Sequence, residues 1–308
     1  MPRSAAPRNR TIALTEAEVR RLRRNFVRDL EAIELKKSVD RIILRDSFSV
    51  LPKLGEKWFD LLFADPPYNL NKNFGKETFR QTSSDAYEKW LDSWLQLCVP
   101  LLKPTASIYI CGDWRSSSAI QRVGSTYFKL QNRITWEREK GRGAKRNWKN
   151  ASEDIWFFTV SDNFTFNLDA VKQRRRVIAP YRENGKPKDW EESVEGNFRD
   201  THPSNIWTDI TVPFWSMPEN TDHPTQKPEK LLAKIILAST NPGDLILDPF
   251  AGSGTSAVVA KKLGRRFVAI ESNEDYCLLA AKRLDIAKTD QSIQGFEGGV
   301  FWERNSRP

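Results

Sequence analysis

The sequence predicts an α/β protein built on a parallel sheet, and three observations predict it. The C-terminal third alternates strand and helix strictly, strand-like apolar runs in the N-terminal third end in acidic residues, and 308 residues are enough for one large core with an insertion. Taken in order, Thr15 and Glu18 form a capping box ahead of a helix expected to run to about Leu35. Its Arg20, Arg21, Arg23 and Arg24 make either a solvated basic face or a contact to a polyanion backbone or a second subunit. Strands are expected at Arg41–Leu44 and Phe59–Ala64, followed by Asp46 and Asp65. A helix is expected over Asp85–Leu102, where Trp90, Leu91, Trp94, Leu95 and Leu97 share a face, and a strand at Ser107–Cys111. From about Glu137 to Asp222 the chain turns rich in Arg, Lys, Trp, Asn and Pro, with short strand candidates such as Asp154–Val160, and reads as a looped insertion. Then come helix Lys227–Ser239, strand Asp244–Leu247, helix Gly254–Leu263, strand Phe267–Ile270 and helix Glu274–Ile286, an alternation that calls for right-handed crossovers.

Composition narrows the function classes. The 49 Lys+Arg against 40 Asp+Glu give a net charge of +9, which favours a polyanionic partner without proving one. Cys98, Cys111 and Cys277 have no paired spacing, so they read as buried small hydrophobes rather than as disulfides or metal ligands. With only His202 and His223, a His-rich metal site or a Ser-His-Asp triad has little to draw on, and no metal is expected. No apolar run approaches membrane-spanning length and the N-terminus lacks an apolar signal segment, so a cytoplasmic protein without membrane contact is expected.

The segment Asp65-Pro66-Pro67-Tyr68 carries the chemistry. Two adjacent prolines cannot extend a strand ladder, so the backbone turns rigidly at the strand's carboxyl end, where ligands of open parallel sheets bind. The turn fixes a carboxylate, a free carbonyl and an aromatic ring close together. Asp65 and the Pro66 carbonyl can each accept one N–H of a base amino group, while Tyr68 stacks on a base taken out of its helix. An ordinary proline-rich turn, with Asp65 as a cap and Tyr68 packed, is the alternative.

A second acid-ended strand leads into Asp248-Pro249-Phe250-Ala251-Gly252-Ser253-Gly254-Thr255. Gly252 and Gly254 admit close approach of a ligand, but the segment is not the dinucleotide fingerprint, and Asp248 would repel a pyrophosphate. A cationic group such as the α-ammonium and sulfonium of S-adenosylmethionine suits it, with an unrelated nucleotide-fold loop as the alternative. Glu271 ends the next strand about 20 residues on, the separation at which an acid meets ribose hydroxyls. His223-Pro224-Thr225-Gln226-Lys227-Pro228 precedes a helix; Lys227 and that helix N-terminus either neutralise a carboxylate or form a plain N-cap with a solvated lysine.

Together these segments resemble the β-class of DNA amino-methyltransferases over roughly residues 40–285, with three separated motifs in that family's order. The resemblance implies a Rossmann-like seven-stranded methyltransferase sheet, circularly permuted, with an inserted target-recognition region. It assigns Asp65, Pro66, Pro67 and Tyr68 to catalysis, and to the cofactor S-adenosylmethionine Asp46, Asp65, His223, Thr225, Lys227, the segment Asp248 through Thr255, and Glu271. Methyl transfer to N6 of adenine in a flipped-out nucleotide is the activity implied, because Asp before Pro-Pro-Tyr usually accompanies adenine. N4 of cytosine is the alternative, followed by a non-catalytic DNA-binding protein; C5 of cytosine would need a thiolate in a Pro-Cys turn, which is missing. The implied division is an N-terminal arm and helix at 1–36, a catalytic half at 37–137, a target-recognition insertion at 138–222, a cofactor half at 223–290 and a tail at 291–308. Arg138, Lys140, Arg142, Lys145, Arg146 and Lys149 around Trp148, with Arg174, Arg175 and Arg176, are the expected contacts to double-stranded DNA. A homodimer, a cognate restriction endonuclease and association with the nucleoid are further expectations.

Overall fold

The structure, a computed structural model, describes residues 8–29, 31, 33–74, 77–138, 146–177, 181–193 and 196–304. Its strands used below are β1 (Arg41–Leu44), β2 (Phe59–Ala64), β3 (Leu102–Gly112), β4 (Lys129–Glu137), β5 (Ser152–Thr159), β6 (Gln173–Arg176), β7 (Glu191–Ser193), β8 (Gly196–Thr201), β9 (Ile206–Trp207), β10 (Leu245–Asp248), β11 (Arg266–Glu271), β12 (Phe296–Glu297) and β13 (Val300–Trp302). Its helices used below are α1 (Glu16–Leu22), α2 (Ser84–Cys98), α3 (Ser117–Tyr127), α4 (Glu229–Ser239), α5 (Thr255–Lys262) and α6 (Glu274–Ile286).

The main sheet has the order β1-β11-β10-β2-β3-β5-β4-β9. The five strands from β1 to β3 run parallel, whereas β5 pairs antiparallel with both β3 and β4. The sheet is therefore mixed rather than wholly parallel, and an eighth strand of two residues, β9, joins the edge beside β4. Strands β10 and β11 come late in the chain yet sit between β1 and β2, the permuted order expected.

Two apolar layers sandwich the sheet. Alternate residues of β2 divide between them, Leu62 and Ala64 packing with Trp94 and Leu95 of α2, and Leu61 and Phe63 packing with Leu231 and Ile235 of α4. α2 begins where Ser83 accepts the Ala86 N–H at 3.2 Å, and its buried face carries Tyr87, Leu91, Trp94, Leu95 and Cys98. All three cysteines are free and buried, as expected.

Three segments depart from the sequence reading. The first helix ends at Leu22 with one 3-10 turn after it, not near Leu35. Phe26 is buried and Val27 pairs with Ile43, so the sheet edge satisfies backbone that a longer helix would have used. Arg21 and Arg23 of this region reach Asp285 (2.6 Å) and Glu274 (3.0 Å) on α6 and pin the N-terminal segment to the core. Residues 152–159, read as part of the insertion, form β5 in the middle of the main sheet. The described part of the expected tail, 291–304, is not a bare tail: β12 and β13 complete a five-stranded sheet ordered β7-β8-β6-β13-β12, with Phe301 fully buried.

Candidate active site

The strand order sets the site. Five adjacent parallel strands, β1, β11, β10, β2 and β3, present Asp46, Glu271, Asp248, Asp65 and Asp113 in that spatial order at their carboxyl ends. All five acids line one cleft of about 460 Å³. Residues far apart in sequence thus converge at the edge where an open parallel sheet binds ligands.

The Asp65 turn forms one wall. Pro66 is buried, the Tyr87 hydroxyl donates to the Pro67 carbonyl at 3.0 Å, and Asn69 is tied to Thr82 by its side-chain N–H to the Thr82 carbonyl at 3.0 Å. The carbonyl used by this anchor belongs to Pro67 and not to Pro66, the acceptor expected to face an amine. The Tyr68 hydroxyl donates to Asp65 Oδ1 at 2.8 Å. Burial, followed by the charges of Asp65 and Glu153, holds that phenol well above its ordinary pKa, so it stays a donor.

The loop after β10 forms the facing wall. Asp248 is buried, accepts the Phe250 N–H at 3.0 Å and the Ser256 hydroxyl, and is nevertheless pushed up to about 7 by its burial. Glu271 accepts the N–H groups of Gly252 and Asn273, each at 2.8 Å, and so fixes the loop to the end of β11. Gly252 has φ +51, and a Cβ there would lie 2.8 Å from His223 Nε2, so the loop stays bare next to that imidazole. Behind it, buried Arg283 donates to the Ser253 carbonyl at 2.9 Å and to Glu229 at 3.0 Å. Asp46 caps the next helical turn by accepting the Phe48 N–H at 2.9 Å. Pro249, Ala251, Ser253, Thr225 and Thr255 also line the cleft, together with the rings of Phe48, Trp90, Phe250 and Tyr276, whereas Gly254 does not: at φ +73 it packs against Ala280 of α6, where a Cβ would lie 2.5 Å from that side chain. Acids beside aromatic rings and bare glycine backbone fit a cationic nucleoside such as S-adenosylmethionine.

Lys227 is placed differently from its sequence assignment. Its ammonium does not wait at the start of α4: it is buried and donates to Asp65 Oδ2 at 2.5 Å, with Tyr68 Oη at 3.2 Å and Glu153 Oε2 at 3.4 Å. Burial opposes the charge, but Asp65 and Glu153 outweigh it and raise the lysine above its ordinary value. Sequence reading missed Glu153, which sits in β5 at 4 % exposure and also accepts from Arg138. Of the expected DNA contacts, Arg146 and Lys149 are exposed beside Trp148, itself 91 % exposed. Arg174 is held by Asp200 through two bonds of 2.7 Å, Arg175 lies 3.9 Å from Glu303, Arg176 is exposed, and Arg138 faces the cleft. Lys140, Arg142 and Lys145 lie outside the described residues.

A methyltransferase-type sheet with an acid-Pro-Pro-Tyr turn facing a glycine loop defines an enzyme that works on an amino group next to a nucleoside cofactor. Comparison with known proteins narrows this class: the family model described as DNA methylase, covering N6 and N4 amino-methyltransferases, matches residues 59–282, and the chain belongs to that family. The DNA adenine methyltransferase YhdJ of Escherichia coli (strain K12) is 37% identical over 254 residues, spanning 80% of this chain and 83% of that protein. The type II methyltransferase M.HpaI of Haemophilus parainfluenzae is 36% identical over 80% of this chain and 74% of its own. Among solved structures, the M1.HpyAVI–SAM complex superposes with a TM-score of 0.54 at 25% identity, covering 79% of this chain and 98% of that one. The PvuII cytosine-N4 methyltransferase shares the fold with a TM-score of 0.61 at 18% identity, over 84% of this chain and 88% of that one. No helix among the described residues is long and apolar enough to cross a membrane.

Proposed function

We propose that the protein transfers the methyl group of S-adenosylmethionine to N6 of adenine in DNA, on a nucleotide swung out of the duplex. One observation carries the reading: the turn bearing Asp65 and Tyr68 and the loop bearing Asp248 line the same cleft. Adenine is favoured by Asp65 ahead of Pro-Pro-Tyr and by the relative from Escherichia coli, a DNA adenine methyltransferase. A cognate endonuclease is the partner to which the type II relative points.

Bound S-adenosylmethionine supplies a methyl carbon activated by its sulfonium. Asp65 and the Pro66 carbonyl accept the two N–H bonds of the target amine and turn its lone pair toward the Asp248 loop. The amine nitrogen is a weak nucleophile because its lone pair is delocalised into the base, and two fixed acceptors favour the tetrahedral form. The proton released on transfer has Asp65 as its nearest acceptor. Asp248 receives the cofactor's ammonium, Glu271 its ribose, and Asp46 its adenine edge. The segment 160–205, with β6 and β8, reads the DNA, and the exposed Arg146, Lys149 and Arg176 hold its phosphates. The test is modification-sensitive sequencing of DNA from cells expressing the protein: methyl groups at N6 of adenine in one short sequence context are expected, and unmodified adenine alongside modified cytosine would overturn the adenine assignment.

Cofactor binding is expected to depend on pH in a defined direction. The Asp248 carboxyl is raised from its ordinary 3.8 to about 7 in the free protein, so below that pH it is largely protonated and a bound cation must displace the proton. Affinity therefore rises with pH up to about 7 and levels off above, by up to about tenfold per pH unit on the acid side. Calorimetric titration with S-adenosylhomocysteine, which retains the ammonium, in buffers of different ionisation enthalpy reads the released proton. Affinity that is flat across this window with no proton release contradicts the pairing.

A further inference from the structure

Glu153 lines the cleft but has no role in the transfer as derived above. It is the second residue of β5, in register with Trp136 of β4, and its side chain crosses to the Asp65 turn on β2. There the Tyr68 hydroxyl lies 3.2 Å from Glu153 Oε2 and 2.8 Å from Asp65 Oδ1. The Lys227 ammonium lies 3.4 Å from Glu153 Oε2 and 2.5 Å from Asp65 Oδ2. Arg138 closes the group by donating to Glu153 Oε1. One phenol and one ammonium thus stand between two carboxylates, while a second cation is committed to only one of them.

The charges explain the pattern. Drawing a carboxylate out of water is costly without a charged partner, and Lys227 at 2.5 Å supplies one to the half-buried Asp65. An ammonium given wholly to Asp65, however, would occupy the oxygen that has to accept the target amine and would weaken it as an acceptor. We propose that Glu153 is a positioning residue of the transfer reaction: it shares Lys227 and the Tyr68 hydroxyl with Asp65, so that Asp65 keeps acceptor capacity for the amine. As the amine arrives, Lys227 and Tyr68 move their hydrogen bonds toward Glu153, whose other oxygen Arg138 holds in place. The proposal rests on the reading of Asp65 as the amine's acceptor.

Among the described residues, the other charged and titratable groups around this cluster are few. Lys227 faces Asp65, Tyr68, Glu153 and the buried thiol of Cys111. Asp248 from β10 and Asp113 after β3 lie further along the strand ends, and Asp113 accepts the Ser116 N–H at 2.9 Å. The thiol is held well above its ordinary value by burial and by Asp65, so it stays neutral and leaves the balance to the four charged side chains.

Single-turnover methylation of duplex DNA by the full chain, from about pH 6 to pH 9, tests this with Glu153→Gln, Glu153→Asp, Lys227→Met and the Glu153→Gln/Lys227→Met double variant. Glu153→Gln is expected to slow transfer about 30- to 100-fold, the scale on which misplacing a reacting group costs rate, with S-adenosylmethionine affinity and melting temperature close to wild type. Glu153→Asp, which keeps the charge, regains part of the rate. Lys227→Met leaves Asp65 and Glu153 repelling each other, so the acid limb of its rate profile moves to higher pH; adding Glu153→Gln removes one charge and brings the limb back. Three results overturn the proposal: Glu153→Gln turning over within about twofold of wild type, below the effect expected of a group that positions a reacting atom; a rate loss matched by loss of cofactor affinity and of melting temperature; and a double variant whose acid limb coincides with that of Lys227→Met. Full turnover by Asp65→Ala would instead remove the reading of the amine's acceptor on which the proposal stands.

Discussion

Asp65→Ala is expected to remove methyl transfer while leaving S-adenosylmethionine binding close to that of the wild type. The loss should reach at least about 10²- to 10³-fold in the transfer rate, the effect of deleting one preorganised hydrogen-bonding group at a reacting centre. The reason lies in how little else can take its place. Asp65 follows the last residue of β2, its position is locked by Pro66 and Pro67, and both of its oxygens are already oriented by Tyr68 at 2.8 Å and Lys227 at 2.5 Å. An alanine leaves Lys227 to Glu153, and no carboxylate stands at the end of β2 for the amine. Cofactor affinity is set mainly by the facing loop, so the defect falls on the transfer rate and not on binding. Equal single-turnover rates for variant and wild type contradict the assignment.

Asp248→Ala is expected to do the opposite. The carboxylate is buried at the end of β10, the loop segment from Asp248 to Thr255 carries no basic side chain of its own, and a cationic ligand group pairs there out of water. Removing one partner of a desolvated, hydrogen-bonded charge pair costs roughly 2–5 kcal/mol, which is about 30- to several-thousand-fold in dissociation constant. At saturating cofactor the transfer rate should recover much of its wild-type value, because the Asp65 turn is untouched. The same variant loses the pH dependence of cofactor binding described above. Calorimetry that returns wild-type affinity removes Asp248 from the cofactor site.

The parts of this site that were legible in the sequence are those where a local signal and a fold rule coincide. Phe59–Ala64 is a continuous apolar run stopped by two prolines, so a buried strand with an acid at its end follows from neighbouring residues alone, and the structure has that strand. The alternation from Glu229 to Ile286 likewise reads directly as β10, β11 and the helices around them. Glu153 was not legible, because it sits in a mixed stretch, Ser-Glu-Asp-Ile-Trp, whose strand character is decided by pairing with β3 and β4. The partner of Lys227 was not legible for a related reason. Its local context is a helix N-terminus, which argues for a bound carboxylate, but its partner is Asp65, 162 residues away in the chain. The five-stranded sheet escaped notice because its strands are two to six residues long and draw on both ends of the chain's second half. The helix extending only to Leu22 shows the same limit, since what stops it is the pairing of Val27 with Ile43.

A bisubstrate ligand, in which N6 of adenosine is joined by a short alkyl bridge to the position of the sulfonium methyl, tests the central geometry most directly. If the Asp65 turn and the Asp248 loop serve one reaction, this ligand binds more tightly than S-adenosylhomocysteine, and both Asp65→Ala and Asp248→Ala weaken it, while Asp65→Ala leaves S-adenosylhomocysteine affinity unchanged. A bisubstrate ligand that binds no better than S-adenosylhomocysteine and is indifferent to Asp65 would show that the two walls do not meet across one methyl group.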